Sequence, residues 1–141
     1  MSKTLLYRLF KIGRIPKGAL EQLRKEGVVM QEEGIGGTVT LKNFRSPTRR
    51  SGWRRSWFSG SIVLTEQHFL AFQYSTPVIG VAWNHEKIKT LNCFLEEDDT
   101  LCVAFDASTF NDDWSGDVEV RFTTPMAQLL LERIQHNITQ Q

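Results

Sequence analysis

Apolar and polar residues alternate with a period of two along much of this sequence, which is the pattern of half-buried β-strands. The alternation is strict near the C-terminus, where charged residues separate Val118, Val120 and Phe122. Segments of this kind, rich in β-branched residues and bounded by turn residues, predict eight short strands. No helices alternate with them, so we expect an antiparallel sheet. The predicted strands are 28–31, 38–44, 58–65, 68–74, 77–83, 88–95, 100–106 and 117–123.

Helical periodicity is confined to the two ends of the chain. From Thr4 to Ile12 apolar residues recur every three or four positions, and a second helical stretch ends at Gly27. At the other end, Thr124 and Pro125 predict an N-cap and a first helical turn. We expect this last helix to pack on the sheet through an apolar stripe. The stripe consists of Met126, Leu129, Leu130, Ile134 and Ile138.

These elements predict a mainly β protein, with a bent antiparallel sheet or partly open barrel of about seven to eight strands capped by a C-terminal α-helix. We assign residues 1–26 to an N-terminal helical extension and residues 27–141 to the β domain. The length of 141 residues is typical of a single domain. Within the β domain, Gly34 to Gly37 is interpreted as the turn of the first hairpin.

The segment from Ser59 to Phe72, SGSIVLTEQHFLAF, resembles a hairpin of pleckstrin-homology-like and GRAM-like domains, in which small residues precede a strand, a Leu-Thr pair, a turn and a second strand. The ending is similar too, since in those families a final strand leads directly into an amphipathic helix that closes one end of a bent sheet. The resemblance covers residues 27–141. It implies seven strands and a non-enzymatic scaffold, with phosphoinositides and peptides as the best-known ligands. The helical extension and one additional strand depart from the family pattern.

The segment from Lys42 to Phe58 concentrates positive charge. It holds six lysine and arginine residues and no acidic residue, although the net charge of the whole chain is only +1. Guanidinium groups bind phosphate oxygens in pairs of hydrogen bonds, and indole rings favour the headgroup region of membranes. We therefore predict a mobile loop that binds an anionic surface, either a phospholipid headgroup or an acidic protein. The predicted ligand-binding residues are Lys42, Arg45, Arg49, Arg50, Trp53, Arg54, Arg55 and Trp57.

Other interpretations stay open. Trp53 and Trp57 could fold back onto the core while the arginines pair with acidic residues of the second half, since residues 1–70 carry a net charge of +8 and residues 71–141 carry −7. The domain could instead bind a protein, or assemble into a homo-oligomer, through strand edges and the N-terminal helix. That helix could also lie on a membrane. Nucleic acid is not an expected partner, because the pI is only about 7.8.

The two cysteines, Cys93 and Cys102, flank the acidic sequence from Glu96 to Asp99. If those four residues form a hairpin loop, the two thiols lie opposite each other on paired strands. We interpret both as small buried apolar side chains, with a redox pair as the alternative. So few cysteines indicate a reducing compartment, and the N-terminal segment lacks the continuous apolar stretch of a secretory signal. We expect a cytoplasmic protein, either free or peripherally bound to a membrane.

No motif predicts catalysis, a metal site or a cofactor. His68, His85 and His136 are scattered without the spacing of metal ligands. The polar segment from Asn111 to Asp117 lacks the terminal glutamate of an EF-hand loop. The serines near Gly60 lack the signature of a nucleophile elbow. The sequence therefore predicts a non-enzymatic binding module.

Overall fold

A computed structural model describes residues 25, 27–74, 76–110 and 112–139, which form seven antiparallel strands and a C-terminal α-helix. The strands make one sheet, curled into a half-barrel, in the order β4-β3-β2-β1-β7-β6-β5. The prediction of a mainly β fold with a C-terminal helix is confirmed. The predicted helical extension, residues 1–26, lies outside the described residues except for Lys25. The elements are β1 (Val28–Arg45), β2 (Arg50–Thr65), β3 (His68–Gln73), β4 (Thr76–Ala82), β5 (Asn92–Glu96), β6 (Thr100–Asp106), β7 (Ser115–Thr123) and α1 (Ala127–Thr139).

β1 is a long strand that joins the two halves of the sheet. It pairs with β2 along nearly its whole length and with β7 from Gly36 onward. The predicted turn at Gly34 to Gly37 is wrong. Gly34 has a positive φ of 67°, and the register with β2 shifts between Glu33 and Ile35, which marks a β-bulge. A bulge bends a strand without reversing it, so the first two predicted strands are one strand and the sheet has seven strands.

A short 3₁₀ helix, Glu86–Thr90, covers the first three residues of the predicted strand 88–95. Ile88 and Leu91 are both buried. A spacing of three suits a 3₁₀ turn, because side chains three positions apart lie on the same side of it. The strand therefore begins only at Asn92, and the prediction is wrong for its first four residues.

β5 and β6 are joined by a three-residue loop, Glu97 to Asp99, and not by the predicted four-residue loop. The difference of one residue places Cys93 opposite Val103 and Cys102 opposite Phe94. Because successive strand residues point to opposite faces, the two thiols lie on opposite sides of the sheet. Burial raises the pKa of Cys93 to about 12 and that of Cys102 to about 11. The predicted opposition of the thiols is wrong, and both cysteines are free.

The concave face of the half-barrel carries the main hydrophobic core. Phe58 and Phe122 are fully buried there, and their rings meet edge to face with centroids 5.5 Å apart. Phe69 stacks on Trp83 at 5.7 Å, and the indole N–H of Trp83 donates to the carbonyl oxygen of Thr65 at 2.9 Å. The Phe58–Phe122 pair links β2 with β7, which are distant in the sequence, whereas the Phe69–Trp83 pair packs β3 against the residue that follows β4.

α1 covers one end of the concave face, next to β5 and β6. It begins after Thr124, whose hydroxyl donates to the carboxylate of Glu32 on β1 at 3.0 Å. Leu130 and Ile134 are fully buried, as the apolar stripe predicted. Leu129 belongs to the same predicted stripe but is 51% exposed, so it faces away from the sheet.

Candidate functional site

The basic segment forms the outer part of the β1–β2 hairpin, and we call residues 42–58 the basic hairpin. β1 continues to Arg45 and β2 begins at Arg50, and these two residues are the last pair of the ladder. The chain reverses between Ser46 and Arg49, where the N–H of Ser46 donates to the carbonyl oxygen of Arg49 at 2.8 Å. The prediction of a mobile loop is wrong, because both arms are paired and the turn is closed by hydrogen bonds.

One edge of the basic hairpin has no neighbouring strand in the described chain. β3 pairs with β2 only at positions 60–64, whereas β2 begins at Arg50. Tyr74 stands near this limit, where its hydroxyl donates to the carbonyl oxygen of Trp57 at 3.3 Å. The backbone of residues 50–56 therefore borders no described strand on the side away from β1.

Two of the predicted cations make contacts within the protein. Lys42 forms a salt bridge with Glu119 at 2.9 Å. Arg55 donates through Nε to Oγ1 of Thr40 at 2.9 Å, and its guanidinium lies 5.5 Å from the centre of the Trp53 ring, within the range of a cation–π contact. These contacts join β1, β2 and β7 on the outer face, the face away from the core. The charge of Lys42 is therefore partly compensated inside the protein.

Arg121 is the centre of this outer-face network, although no sequence motif marks it. Its guanidinium forms salt bridges of 2.8 Å with both Glu96 and Glu119, and donates to Oγ1 of Thr40 at 3.4 Å. The hydrogen bond from Arg121 lowers the pKa of Glu96. The hydrogen bond from Lys42 lowers the pKa of Glu119, and burial opposes this effect. The strict alternation of residues along β7 predicted that one face of this strand is polar. Only the strand order of the sheet shows which charged residues of other strands lie next to it.

The lowered pKa values of Glu96 and Glu119 predict that the protein loses stability in acid. Both carboxylates bind protons less readily in the folded protein than in the unfolded chain, whose value is near 4.5. Their contribution is therefore present above that value and is lost as the pH falls through the folded values. We expect the free energy of unfolding, from urea titrations, to fall between about pH 5 and pH 3.

The Glu119→Gln variant is expected to lose less stability over that same pH range. Glu86→Gln serves as the control, because Glu86 is an exposed carboxylate outside the network. An identical acid loss in wild type, Glu119→Gln and Glu86→Gln would contradict a stabilising role for the network.

Arg45, Arg49, Arg50 and Arg54 have no acidic partner among the described residues. All four are exposed, and within the described chain none of them forms a salt bridge. The alternative in which these arginines pair with acidic residues of the second half is therefore wrong. Their charges remain accessible to an external anion.

Trp53 and Trp57 point outward from the basic hairpin. Trp53 lies opposite Lys42 and Trp57 lies opposite Thr38, so both rings share the outer face. They are four positions apart, or roughly 13 Å along the strand. Their exposed fractions are 61% and 52%, so the alternative in which they fold back onto the core is wrong. The basic hairpin thus presents two indole rings on its outer face and carries four guanidinium groups that form no salt bridge within the described chain. One of these, Arg54, lies opposite Leu41 and therefore on the concave face.

Metal clusters and membrane-spanning helices are both absent from the described residues. No three His, Cys, Asp or Glu side chains of this part of the chain are grouped so that they could hold a metal ion. No helix formed by the same residues has the length and apolar character needed to cross a bilayer.

Comparison with known proteins gives no independent indication of function. Neither a scan against models of protein families nor a search of curated proteins finds a match for this sequence. The function is therefore inferred from the arrangement of the chain's own side chains, above all those of the basic hairpin.

Proposed function

We propose that this chain is a pleckstrin-homology-like binding module that docks on an anionic phospholipid surface through the basic hairpin, as a peripheral membrane protein of the cytoplasm. The observation that carries the proposal is that one closed hairpin holds two exposed tryptophans and four exposed arginines without a salt bridge to any described residue. Seven strands and a final strand that leads directly into a helix agree with what the family resemblance implies. This agreement supports a non-enzymatic scaffold that carries a binding hairpin.

The side chains of the basic hairpin suit a phospholipid surface. Guanidinium groups match the geometry of phosphate oxygens, and a basic residue near an anionic membrane contributes about 1 kcal/mol to binding. Indole rings are stable at the level of the headgroups. The hairpin is already ordered by its ladder and its turn, so it loses less conformational freedom on binding than a mobile loop would lose. An ordered hairpin is therefore better suited to binding than the mobile loop that the sequence predicted.

Replacing Arg45, Arg50 and Arg54 together with glutamine is expected to weaken binding to vesicles of phosphatidylcholine and phosphatidylserine roughly a hundredfold, because three contributions of about 1 kcal/mol are lost. Binding is measured by vesicle sedimentation. The wild-type protein is expected to bind these vesicles, to ignore vesicles of phosphatidylcholine alone, and to dissociate as the salt concentration rises.

The matched control is a variant in which Lys87, Lys89 and Arg133, three exposed cations outside the basic hairpin, are replaced by glutamine. The two variants have the same net charge, so only the control should bind almost as tightly as wild type. Equal losses in both variants would show that overall charge, and not the hairpin, drives binding. If the wild-type protein does not bind phosphatidylserine vesicles but binds a polyglutamate peptide, the partner of the basic hairpin is an acidic protein and not a membrane.

The backbone edge of residues 50–56, which borders no strand of the described chain, favours a second candidate function, which is strand addition by a protein partner or by a second copy of the chain. Main-chain hydrogen bonds would supply the affinity, so this interaction should depend little on salt. Light scattering coupled to size exclusion measures the mass at several protein concentrations. A monomer at every concentration would reject self-assembly. The proposed contribution of the N-terminal helix concerns residues outside the described part of the chain.

A further inference from the structure

The concave face contains a pocket that no described residue of α1 lines. The helix follows the end of β7, whereas the pocket lies beside Val118 and Val120, in the middle of that strand. Its volume is about 520 Å³. Pockets for small molecules typically have volumes of about 300–1,000 Å³. The space is therefore large enough for a small organic ligand.

The walls of the pocket are mainly apolar. Ile79, Ala107 and Val120 are buried and form its floor. An apolar tail placed against them would leave water without leaving any polar group of the protein unpaired. Two edge-to-face aromatic pairs also line the pocket, with ring centroids 5.4 Å and 5.2 Å apart: Phe44 with Trp114, and Phe105 with Phe110.

The polar groups of the pocket lie toward solvent. Ser56 and Gln73 are half-buried, and Thr76 is exposed. Arg49 is the one ionisable side chain among the described lining residues, and it forms no salt bridge within the described chain. The turn of the basic hairpin thus places a single positive charge at the rim of an apolar pocket.

We propose that this pocket binds a free single-chain carboxylate of medium length, such as decanoate, with the hydrocarbon tail on the apolar floor and the carboxylate at Arg49. The apolar walls favour a hydrocarbon tail, and the positive charge of Arg49 favours an anionic head group such as a carboxylate. The hydroxyl groups of Ser56 and Thr76 offer further donors at the rim. The pocket shares Arg49 with the basic hairpin, but it lies on the concave face while Trp53 and Trp57 are on the outer face.

Binding of hexanoate, octanoate and decanoate to the full chain is compared by isothermal titration calorimetry in the absence of lipid. Each added methylene group that enters the pocket is expected to tighten binding about fourfold. Spectra of the protein with labelled methyl groups locate the ligand. Decanoate should shift the methyl signals of Val39, Val78 and Ile79, which line the pocket. The methyl signals of Val63, which belongs to a separate buried cluster, should not change.

Two pairs of variants test the head and the tail of the ligand separately. Arg49→Gln is expected to weaken the binding of decanoate about tenfold, because the charged contact is lost. The increase in affinity with each added methylene group should stay the same. The control for this variant is Arg133→Gln on α1. Val78→Trp fills the pocket and is expected to abolish the increase in affinity with each methylene group. Its control is Leu129→Trp, on the exposed side of α1, which should keep that increase. Val39→Phe provides a second filled pocket if Val78→Trp fails to fold.

Three results would overturn the proposal. The first is an affinity that does not rise from hexanoate to decanoate. The second is a set of shifts confined to the outer face of the basic hairpin. The third is a filled pocket that binds decanoate as tightly as wild type does. The Arg45, Arg50 and Arg54 triple variant should still bind decanoate, so failure of the pocket and failure of the membrane proposal are distinguishable.

Discussion

Replacing Gly37 with alanine is expected to lower the free energy of unfolding by at least about 3 kcal/mol. A Cβ atom at this position would overlap the backbone carbonyl oxygen of Arg121 and would press against the ring of Phe58. The carbonyl belongs to β7, which pairs with β1 at this point, so it cannot move without disturbing the ladder. The expected loss thus comes from backbone overlap in the centre of the sheet.

The measurement is urea-induced unfolding followed by circular dichroism. Gly52→Ala is the matched control, because a Cβ at Gly52 would meet no heavy atom within 4 Å. That variant should stay within about 0.5 kcal/mol of wild type, as is usual for surface changes. Adding Phe58→Leu should not rescue Gly37→Ala, since the ring is the lesser obstacle. Similar midpoints for the Gly37 and Gly52 variants would show that the two strands approach less closely than described.

Phe58→Ala is expected to cost about 4 kcal/mol, in the range measured when a buried phenylalanine is truncated. The side chain is fully buried, and its ring meets Phe122 edge to face. It also lies against Gly37 and Gly60, whose missing side chains make room for the ring. Truncation would therefore open a cavity that rigid backbone surrounds on two sides and that can collapse only partly.

Trp57→Ala is the matched control for Phe58→Ala. The two aromatic residues are adjacent in β2 but point to opposite faces, and Trp57 is 52% exposed. Its loss should change the unfolding free energy, again from urea titrations, by less than about 1 kcal/mol. If Trp57→Ala were as destabilising as Phe58→Ala, the assignment of the two faces of the basic hairpin would be wrong.

Local sequence signals predicted the elements whose burial follows a simple period. The alternation of Val118, Val120 and Phe122 identified β7, and the Thr124 cap located the start of the last helix. The sequence did not show that β1 is one continuous strand, because a glycine such as Gly34 is as common in a β-bulge as in a turn. The choice depends on the register with β2, which is a long-range property.

The predicted binding residues all lie on the β1–β2 hairpin, but the sequence could not show which of them make contacts within the protein. The contact that compensates Lys42 comes from Glu119, which lies 77 positions away. The contacts of Arg121 also depend on strand order, since its partners Thr40, Glu119 and Glu96 lie on β1, β7 and β5. The apolar pocket is equally hidden, since Phe44 and Trp114 reach it from different parts of the chain. Sequence periodicity predicts which face a residue occupies, and strand order decides which residues it meets.

Residues 50–56 of β2, which have no neighbouring strand in the described chain on the side away from β1, affect how the protein behaves at high concentration. If two molecules aligned this stretch edge to edge, Arg50 and Arg54 of each would approach the same residues of the other, and the like charges would repel. This repulsion disfavours a second copy of the chain at the edge relative to a partner strand that lacks such cations. Charged residues on open strands are a common protection against aggregation. We therefore expect the triple glutamine variant, with these charges removed, to be less soluble than the parent protein even though it is as well folded.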